Sequence, residues 1–312
     1  MINSDLSVAD GMPLVWMARL LGIPIRERVA GAGLFEWLRQ ATGGRLSVYL
    51  FGGVEGVAEA AGRKLNSERK GLVCAGFETP GFGSIEDLSS DEIIDRINAS
   101  GADFLVVALG AKKGQAWIVR NRARITVPVV SHLGAVVNFV AGTVYRAPVW
   151  VQRRGLEWLW RIKEEPGLWR RYWRDGLEFI RLLVTRVLPY AWYLRRHPPD
   201  AAELGQATAK LSDDGEIAVI SLEGVWCRDN LAPLRQCFSQ AVAASGDIRL
   251  DLSGVIYVDS AFVGLAMLLY GHQTSHGAQL LVDGPRQPVR RVFELSCAEY
   301  MLQDQIARGQ HG

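Results

Sequence analysis

The stretch LSVYLFGGVEGVAEAAGRKLN, residues 46–66, sets the fold that this sequence predicts. An apolar run of strand-forming residues ends at Gly52-Gly53, and a helix-forming run follows directly. A strand, a glycine turn and a helix in this order form the repeating unit of a parallel α/β sheet. The start of such a helix can hold a phosphate group, although a glycine pair can also serve only to let strand and helix pass closely.

The same unit recurs along the first half of the chain. We predict further strands, each followed by a helix, in GLVCAGFETPGFG (71–83), FLVVALG (104–110) and VPVVSHLGAVVNFVAG (127–142). The last two runs are apolar enough for strands that are buried on both faces. The sequence therefore predicts an α/β fold with a Rossmann-like parallel sheet.

Ligands of such sheets bind at the carboxyl ends of the strands, so one rim is the expected site. The residues that we expect there are Asp10, Gly52, Gly53, Gly110 and Gly134. His132 also falls at a strand end, where a structural role is more common for His than a catalytic one. Lys112, Lys113 and Gln115 could contact a phosphate or a sugar hydroxyl there, or could form a solvated loop.

Asp10 and Arg28 are the candidates for chemistry near the start of the chain. Asp10 precedes a glycine at a predicted helix start, where it could act as a general base or as a helix N-cap. The planar fork of Arg28 could contact a diphosphate, and by itself it is an exposed charge.

Arginine and tryptophan are concentrated between Thr143 and Arg196, although the whole chain has a net charge of only +2. This window holds 12 Lys and Arg against 5 Asp and Glu, together with 6 of the 10 Trp. Such a segment could bind nucleic acid, anionic lipid headgroups or a diphosphate. We expect no nucleic-acid partner, because no nucleic-acid-binding motif accompanies it. The arginines concerned are Arg146, Arg153, Arg154, Arg161, Arg170, Arg171 and Arg174.

The apolar segments predict no secretory signal peptide and no bilayer-spanning helix. The longest candidate, FIRLLVTRVLPYAWYL at 179–194, is interrupted by two arginines and a proline. It predicts either a helix packed against protein or an interfacial helix lying on a membrane. The four cysteines have neither a C-x-x-C pair nor His at ligand spacing, so we expect no metal site and a reducing cytoplasmic setting.

The chain divides into three predicted regions. His197-Pro198-Pro199 cannot continue a helix, and short strands begin again after it. We place the α/β core at 1–142, a helical Arg/Trp-rich appendage at 143–197 and a second, small α/β domain at 206–308. The second domain is of a size that folds alone.

Five sequence words in the first two regions together resemble one family. They are ADGMPLVW (9–16), ERVAG (27–31), VYLFGG (48–53), LGAKKGQAWI (109–118) and FVAGTVYRAPVWVQRRGLEWLWRIKEEPGLWRRYW (139–173). The family is that of the teichoic-acid and enterobacterial-common-antigen type N-acetylmannosaminyltransferases, glycosyltransferase family 26. The RAP, GLEW and EP words in this order are its most specific features.

This resemblance implies an inverting enzyme that needs no metal cofactor. It would move a sugar from a UDP-sugar to a polyprenyl-diphosphate-linked acceptor at the cytoplasmic membrane face. By the same likeness Asp10 is the catalytic base and Arg28 contacts substrate, while Arg161 and Arg171 of the appendage close over the diphosphate. The sugar could be N-acetylmannosamine, its uronic acid or glucose.

The sequence departs from the family pattern at several positions. Gln115 lies one place from the family's Gln, and Asn138 stands near an expected Asp. Gly167-Leu168 replaces a basic pair. Family members usually have roughly fifty more residues before the Asp-Gly word, so we expect either a misassigned start or the lack of part of the site.

The second domain resembles the sulfate-transporter and anti-sigma-factor-antagonist (STAS) domain. The words are IRLDLSGVIYVDSAFVGLAMLLYG (248–271) and GAQLLVDGPRQPVRRVFELS (277–296). The likeness places Ser260 where antagonist-type members are phosphorylated, and a phosphate would gain there from the helix N-terminus. Ser260 could instead be a simple N-cap.

Together these features predict a peripheral glycosyltransferase of exopolysaccharide or glycolipid assembly, controlled by a STAS module. A catalytically impaired regulator acting through its STAS surface is the alternative. The expected partners are a UDP-sugar, the polyprenyl-diphosphate acceptor, the membrane surface and a protein or kinase at the STAS domain. The sequence does not decide whether the protein forms a homo-oligomer.

Overall fold

A computed structural model describes residues 4–81, 83–213, 215, 217–244 and 246–302. Its contacts divide the chain into two compact units. The first unit comprises Asp5–Trp16 and Ile25–Asp175, and the second comprises Ser4, Met17–Pro24 and the described residues between 176 and 302. We refer to them as the N-terminal unit and the C-terminal unit.

Four parallel strands form the sheet of the N-terminal unit, in the order β2-β1-β3-β4. Their bounds are β1 (Leu46–Gly52), β2 (Leu72–Glu78), β3 (Phe104–Ala108) and β4 (Val129–His132). The helices up to residue 182 are α1 (Met12–Leu20), α2 (Gly31–Gln40), α3 (Val57–Glu68), α4 (Asp91–Ala99), α5 (Ala111–Asn121), α6 (Val136–Ala141), α7 (Val149–Arg153), α8 (Glu157–Glu164) and α9 (Trp169–Leu182). The alternation of strands and helices confirms the predicted parallel α/β sheet.

Apolar side chains cover this sheet on both faces, because successive strand residues point to opposite sides. Leu50 packs in one core cluster with Phe35 and Leu65. Its neighbour Phe51 packs in the other cluster with Trp117, with ring centroids 4.6 Å apart. The sheet is therefore the middle layer of three, which leaves its strand ends free for a site.

The sequence predicts that β4 is buried on both faces, and this prediction is wrong in part. It forms an edge of the sheet, and Val129 is largely exposed. An edge strand has a neighbour on one side only, so its side chains are less completely covered.

The C-terminal unit has a second four-stranded sheet, in the order β5-β6-β7-β8. Its strands are β5 (Thr208–Asp213), β6 (Ile217–Trp226), β7 (Asp247–Val258) and β8 (Leu280–Asp283), and only the β5–β6 pair is antiparallel. Its helices are α10 (Leu188–Arg196), α11 (Ala201–Leu204), α12 (Ala232–Ala243), α13 (Ser260–Ser275) and α14 (Gln287–Leu295). The small α/β domain is confirmed, and β5 is an additional strand that the sequence did not reveal.

The helical segment before this sheet is part of the same unit. Helix α9 is followed by a π-helical turn, Leu183–Val187, and by α10, which ends at Arg196 as the His-Pro-Pro sequence predicts. Tyr190 and Tyr193 are buried in the core of the C-terminal unit. The contacts thus place residues 176–196 with the second sheet, whereas the sequence predicts one appendage over 143–197. The predicted domain limits stay predictions, and residues 303–308 lie outside the described chain.

In the described part of the chain, no helix is both long and apolar enough to cross a membrane.

Candidate functional site

The carboxyl ends of β1 and β3 meet at Gly52, Gly53 and Ala108. The N–H of Gly53 donates a hydrogen bond of 3.0 Å to the Ala108 carbonyl. Gly52 has a φ of 101°, and a Cβ there would lie 2.8 Å from the same carbonyl oxygen. Close passage of the backbone therefore accounts for Gly52 without a ligand, although a phosphate role for the pair stays a prediction.

The next position along this rim is occupied by Gly110 and His132. Gly110 has a φ of 81° and is the N-cap of α5, and His132 is the last residue of β4. A Cβ on Gly114, in the first turn of α5, would lie 2.3 Å from the His132 ring. Burial lowers the pKa of His132, opposed by a hydrogen bond with the Gly110 backbone. We conclude that the His132 side chain is packed into the rim, with an Nε2 atom that has no hydrogen-bond partner among the described residues.

The Asp10 carboxylate lies next to the start of α2. Its Oδ2 accepts a hydrogen bond of 3.4 Å from the N–H of Gly31, the first residue of that helix. Gly31 in turn lies directly against Leu133, because a Cβ on Gly31 would be 2.4 Å from Leu133 Cδ2. Leu133 follows β4, so these two contacts bring Asp10 to the predicted rim. The N-cap alternative placed Asp10 on α1, whereas its hydrogen bond goes to α2.

Asp10 is one end of a chain of four alternating charges. The Nε of Arg28 lies 3.5 Å from Asp10 Oδ1, and its Nη2 pairs with Glu157 Oε2. The other oxygen of Glu157 lies 3.8 Å from Nε of Arg146. Arg28 and Glu157 are both only 15% exposed, whereas Asp10 is 54% exposed. The network thus holds a partly buried guanidinium beside an accessible carboxylate, a pairing suited to binding a polar or anionic ligand.

The remaining predicted residues are placed less closely together. Arg161 lies one turn after Glu157 on α8, with its Nη2 3.8 Å from Glu165. Arg171, on α9, is exposed, and its Nε lies 3.7 Å from Asp175. Gln115 is exposed on α5, and Asn138 lies on α6, where its carbonyl accepts from Gly142 and Thr143. Within the described residues, no hydrogen bond or ion pair joins Arg171, Gln115 or Asn138 to Asp10, and their predicted roles stay predictions.

Glu157 was not among the predicted site residues, and Arg146 was named only as one of the arginines of the segment 143–196. Arg146 lies in the RAP word and Glu157 in the GLEW word. The sequence therefore identified both words as family features but gave no sign that the two residues form an ion pair. The pairing of Glu157 with Arg28 joins positions 129 residues apart, which only the fold can bring together.

The predicted phosphorylation position lies at the start of α13 in the C-terminal unit. Asp259, rather than Ser260, is the N-cap, because its Oδ1 accepts from the N–H groups of Ala261 and Phe262 at 3.0 Å each. Its other oxygen accepts from the Arg228 N–H at 2.9 Å. The N-cap alternative for Ser260 is therefore wrong, and its hydroxyl has no capping role.

Tyr190 of α10 lies against Ser260. It is 2% exposed, and burial raises its pKa to about 12, while contact with the hydroxyl and backbone of Ser260 acts in the opposite direction. The ring is nearly parallel to that of Tyr193, which in turn stacks on Tyr257 with centroids 6.2 Å apart. A helix of the same chain thus covers part of the start of α13, and Ser260 itself is only partly buried.

The N-terminal unit has an α/β fold of the doubly-wound class, in which ligands bind at the carboxyl ends of the strands. More narrowly, the chain belongs to the Glycosyl transferase WecG/TagA/CpsF family, whose family model matches residues 1–191. A second model, that of the Mlab STAS domain, matches residues 209–303. Both resemblances read from the sequence are therefore confirmed.

Curated relatives share the family but are only partly covered. An N-acetylglucosaminyldiphosphoundecaprenol N-acetyl-β-D-mannosaminyltransferase of Bacillus spizizenii is 30% identical over 170 residues, which are 54% of this chain and 64% of the relative. A Staphylococcus aureus protein of the same name is 27% identical over 168 residues, covering 54% and 63%. The chain thus spans just under two thirds of these relatives.

Among solved structures, the unphosphorylated anti-sigma factor antagonist SpoIIAA is similar to part of the chain. It is 22% identical, with a TM-score of 0.29, over 33% of this chain and 96% of that protein.

Proposed function

We propose that this protein is an inverting glycosyltransferase that moves a sugar from a UDP-sugar to a polyprenyl-diphosphate-linked acceptor. The observation that supports it is the Asp10–Arg28 pair at the rim of a sheet that belongs to a glycosyltransferase family. The names of the relatives suggest the acceptor class, an N-acetylglucosaminyl diphosphate on a polyprenol. N-acetylmannosamine, its uronic acid and glucose are the donor sugars to test.

In the proposed reaction Asp10 is the general base. The acceptor hydroxyl oxygen forms a bond to the anomeric carbon, and the bond from that carbon to the UDP oxygen breaks. The hydroxyl proton goes to the Asp10 carboxylate, and UDP leaves with the electron pair of the broken bond. Attack opposite the leaving group inverts the anomeric centre. The exposure of Asp10 leaves room for the acceptor.

Cationic side chains would stabilise the diphosphate of the departing UDP, so the proposal requires no metal cofactor. Arg28 lies beside the base, and Arg161 is carried by α8 one turn after Glu157. The Nε of Arg161 is buried and has no hydrogen-bond partner in the described chain. We assign Arg171 the same role, and we assign substrate contacts to Gly52, Gly53, Gly110, Gln115 and Asn138.

We further propose that the protein works as a peripheral protein on the cytoplasmic face of the cell membrane. Helix α9 exposes four large apolar side chains at spacings of three and four residues, which places them on one face. They are Trp169, Trp173, Leu177 and Ile180. Arg170 lies over the Trp169 ring at 5.6 Å, so positive charge and aromatic surface occur together, as in interfacial helices.

The STAS domain is proposed to be the regulatory module, with Ser260 as its modification site. The hydroxyl of Ser260 is not used as a helix cap, which supports this assignment. A shallow apolar groove of about 820 Å³ between α12 and α13, lined by Phe238, Leu265 and Leu268, supports protein binding as the other use of this domain. These features equally support the alternative function, a regulator without transferase activity.

A transfer assay separates the two functions. Purified protein is incubated with each radiolabelled UDP-sugar and with vesicles that contain N-acetylglucosaminyl-diphospho-undecaprenol. Label entering the lipid fraction with wild-type protein but not with Asp10→Asn supports the transferase. The absence of transfer with all three donors, also from a protein extended by any in-frame upstream sequence, contradicts it and favours the regulator.

A further inference from the structure

Glu157 stands between two arginines at the candidate site. Its Oε2 pairs with Arg28, and its Oε1 lies 3.8 Å from Nε of Arg146. The Asp10–Arg28 contact is the longer of the two pairs that Arg28 makes, at 3.5 Å, and Asp10 is the more exposed partner. Arg28 is therefore held mainly by Glu157.

The position of Glu157 is itself fixed by the fold. It is the first residue of α8, where the positive end of the helix dipole favours a carboxylate. Trp160 on the same helix donates a hydrogen bond of 3.1 Å from its Nε1 to the carbonyl of Tyr145, the neighbour of Arg146. A carboxylate at a secured helix start can orient a guanidinium without itself contacting substrate.

We infer that Glu157 is a positioning residue, which keeps Arg28 beside Asp10 without letting the two neutralise each other. This inference rests on the proposed transferase function. Because Glu157 competes for the Arg28 guanidinium, Asp10 stays accessible as a base. Removal of the Glu157 charge leaves Asp10 as the nearest carboxylate to Arg28, and the pair closes. Asp10 then becomes a poorer base, and Arg28 is turned away from the diphosphate.

A double-mutant cycle tests whether Glu157 acts through Arg28. Transfer is measured for wild type, Glu157→Gln, Arg28→Lys and the double variant. Each single change should lower kcat/KM about tenfold or more. The double variant should have about the same kcat/KM as the less active single variant, as expected for residues of one ion-pair network. Glu157→Asp should restore part of the loss. Additive losses would mean that Glu157 has only a structural role and would overturn the inference.

Two controls accompany the cycle. Glu164→Gln, at the other end of α8, should leave kcat/KM unchanged, and thermal unfolding of each variant shows whether it is folded. If Glu157→Gln is unfolded, Glu157→Ala takes its place in the cycle, and Arg28→Gln takes the place of an unfolded Arg28→Lys.

A second readout does not depend on transfer. The ¹⁵Nε–¹Hε signal of Arg28, assigned by its loss in Arg28→Lys, should report a restricted side chain in wild type and a mobile or displaced one in Glu157→Gln. An unchanged signal would overturn the inference. If wild type transfers no sugar but this signal changes, the proposed function fails while the positioning by Glu157 stands.

Discussion

Tyr190 is buried directly against Ser260, although the two residues come from a helix and a domain that the sequence predicts as separate regions. The tyrosine ring belongs to the same core as Tyr257 and Phe262, on either side of the Asp259-Ser260 word. The surface at the start of α13 is thus partly an internal interface of this chain.

The first prediction concerns stability at alkaline pH. The folded protein raises the pKa of Tyr190 to about 12, from an ordinary value of about 10. The stability that comes from burying the neutral phenol is therefore fully present below pH 10 and is lost as the pH rises to 12. We expect Tyr190→Phe to remove about 2 to 3 kcal/mol of this alkaline loss.

The free energy of unfolding of wild type and Tyr190→Phe is measured by urea unfolding at pH 8, 10 and 11.5. Tyr145→Phe is the matched control, because Tyr145 is exposed. Parallel curves for wild type and Tyr190→Phe across this range would show that Tyr190 does not titrate with unfolding.

The second prediction concerns Asp10. Asp10→Asn should lower turnover about 10²- to 10⁴-fold, the usual contribution of a general base, with little change in the melting temperature because the side chain is exposed. Steady-state transfer and thermal unfolding check the two parts. Asp5→Asn, in the same N-terminal segment and also exposed, should retain full turnover. A similar loss in both variants would contradict the role of Asp10.

The third prediction concerns membrane retention. Trp173 is 66% exposed on the apolar face of α9, so Trp173→Ala should weaken binding to anionic vesicles by about 1 to 2 kcal/mol. Co-sedimentation with vesicles of phosphatidylglycerol and phosphatidylcholine measures the loss. Trp37, on α2 and 68% exposed, supplies the control, and Trp37→Ala should sediment like wild type. Equal behaviour of the two variants would remove α9 from the membrane-binding surface.

The fourth prediction separates the appendage arginines from its tryptophans. Arg161→Ala should lower turnover about tenfold or more, because a charge-assisted contact to the diphosphate is lost, and should leave vesicle binding largely intact. Trp169→Ala should show the reverse pattern. Transfer and co-sedimentation are measured on both variants, and equal losses of both properties in both would mean that the segment is simply structural.

The fifth prediction tests the rim of the sheet. Gly52→Ala should destabilise the protein by about 1 to 3 kcal/mol, because the backbone has a φ of 101° and the new Cβ would meet the Ala108 carbonyl at 2.8 Å. Gly43→Ala is the control, since a Cβ there has no neighbour within 4 Å. Differential scanning calorimetry compares the two, and the same melting temperature for both variants would refute the close approach.

The sequence predicted the sheets because strand and helix patterns are local. Apolar runs such as Leu46–Gly52 and Phe104–Ala108 are bounded by glycines, and their order along the chain determines a parallel sheet. Strand β5 was missed because its sequence, TAKLSD, is mostly polar. Its extended conformation comes from antiparallel pairing with β6, which the local sequence does not reveal.

The site was less predictable because its contacts are long-range. Asp10 and Arg28 stand out by their place in sequence words, but the carboxylate that holds Arg28 is 129 residues away. The sequence could not show whether the amphipathic segment 179–194 packs against protein or lies on a membrane, because either can cover an apolar face. The structure uses one face for protein, with Val187, Tyr190 and Tyr193 buried, while Ile180, Val184 and Trp192 stay exposed.

Residues Met17–Pro24 bear on how the chain is synthesised, because they pack with the C-terminal unit. Leu21 packs on its core, and the Gly22 carbonyl accepts a hydrogen bond of 3.2 Å from Arg228, which lies 206 residues later. At about 5 to 20 residues per second, a ribosome takes about 10 to 40 s to cover that distance. Residues Met17–Pro24 therefore leave the ribosome well before the residues on which they pack. The C-terminal unit can complete its fold only after most of the chain has been translated.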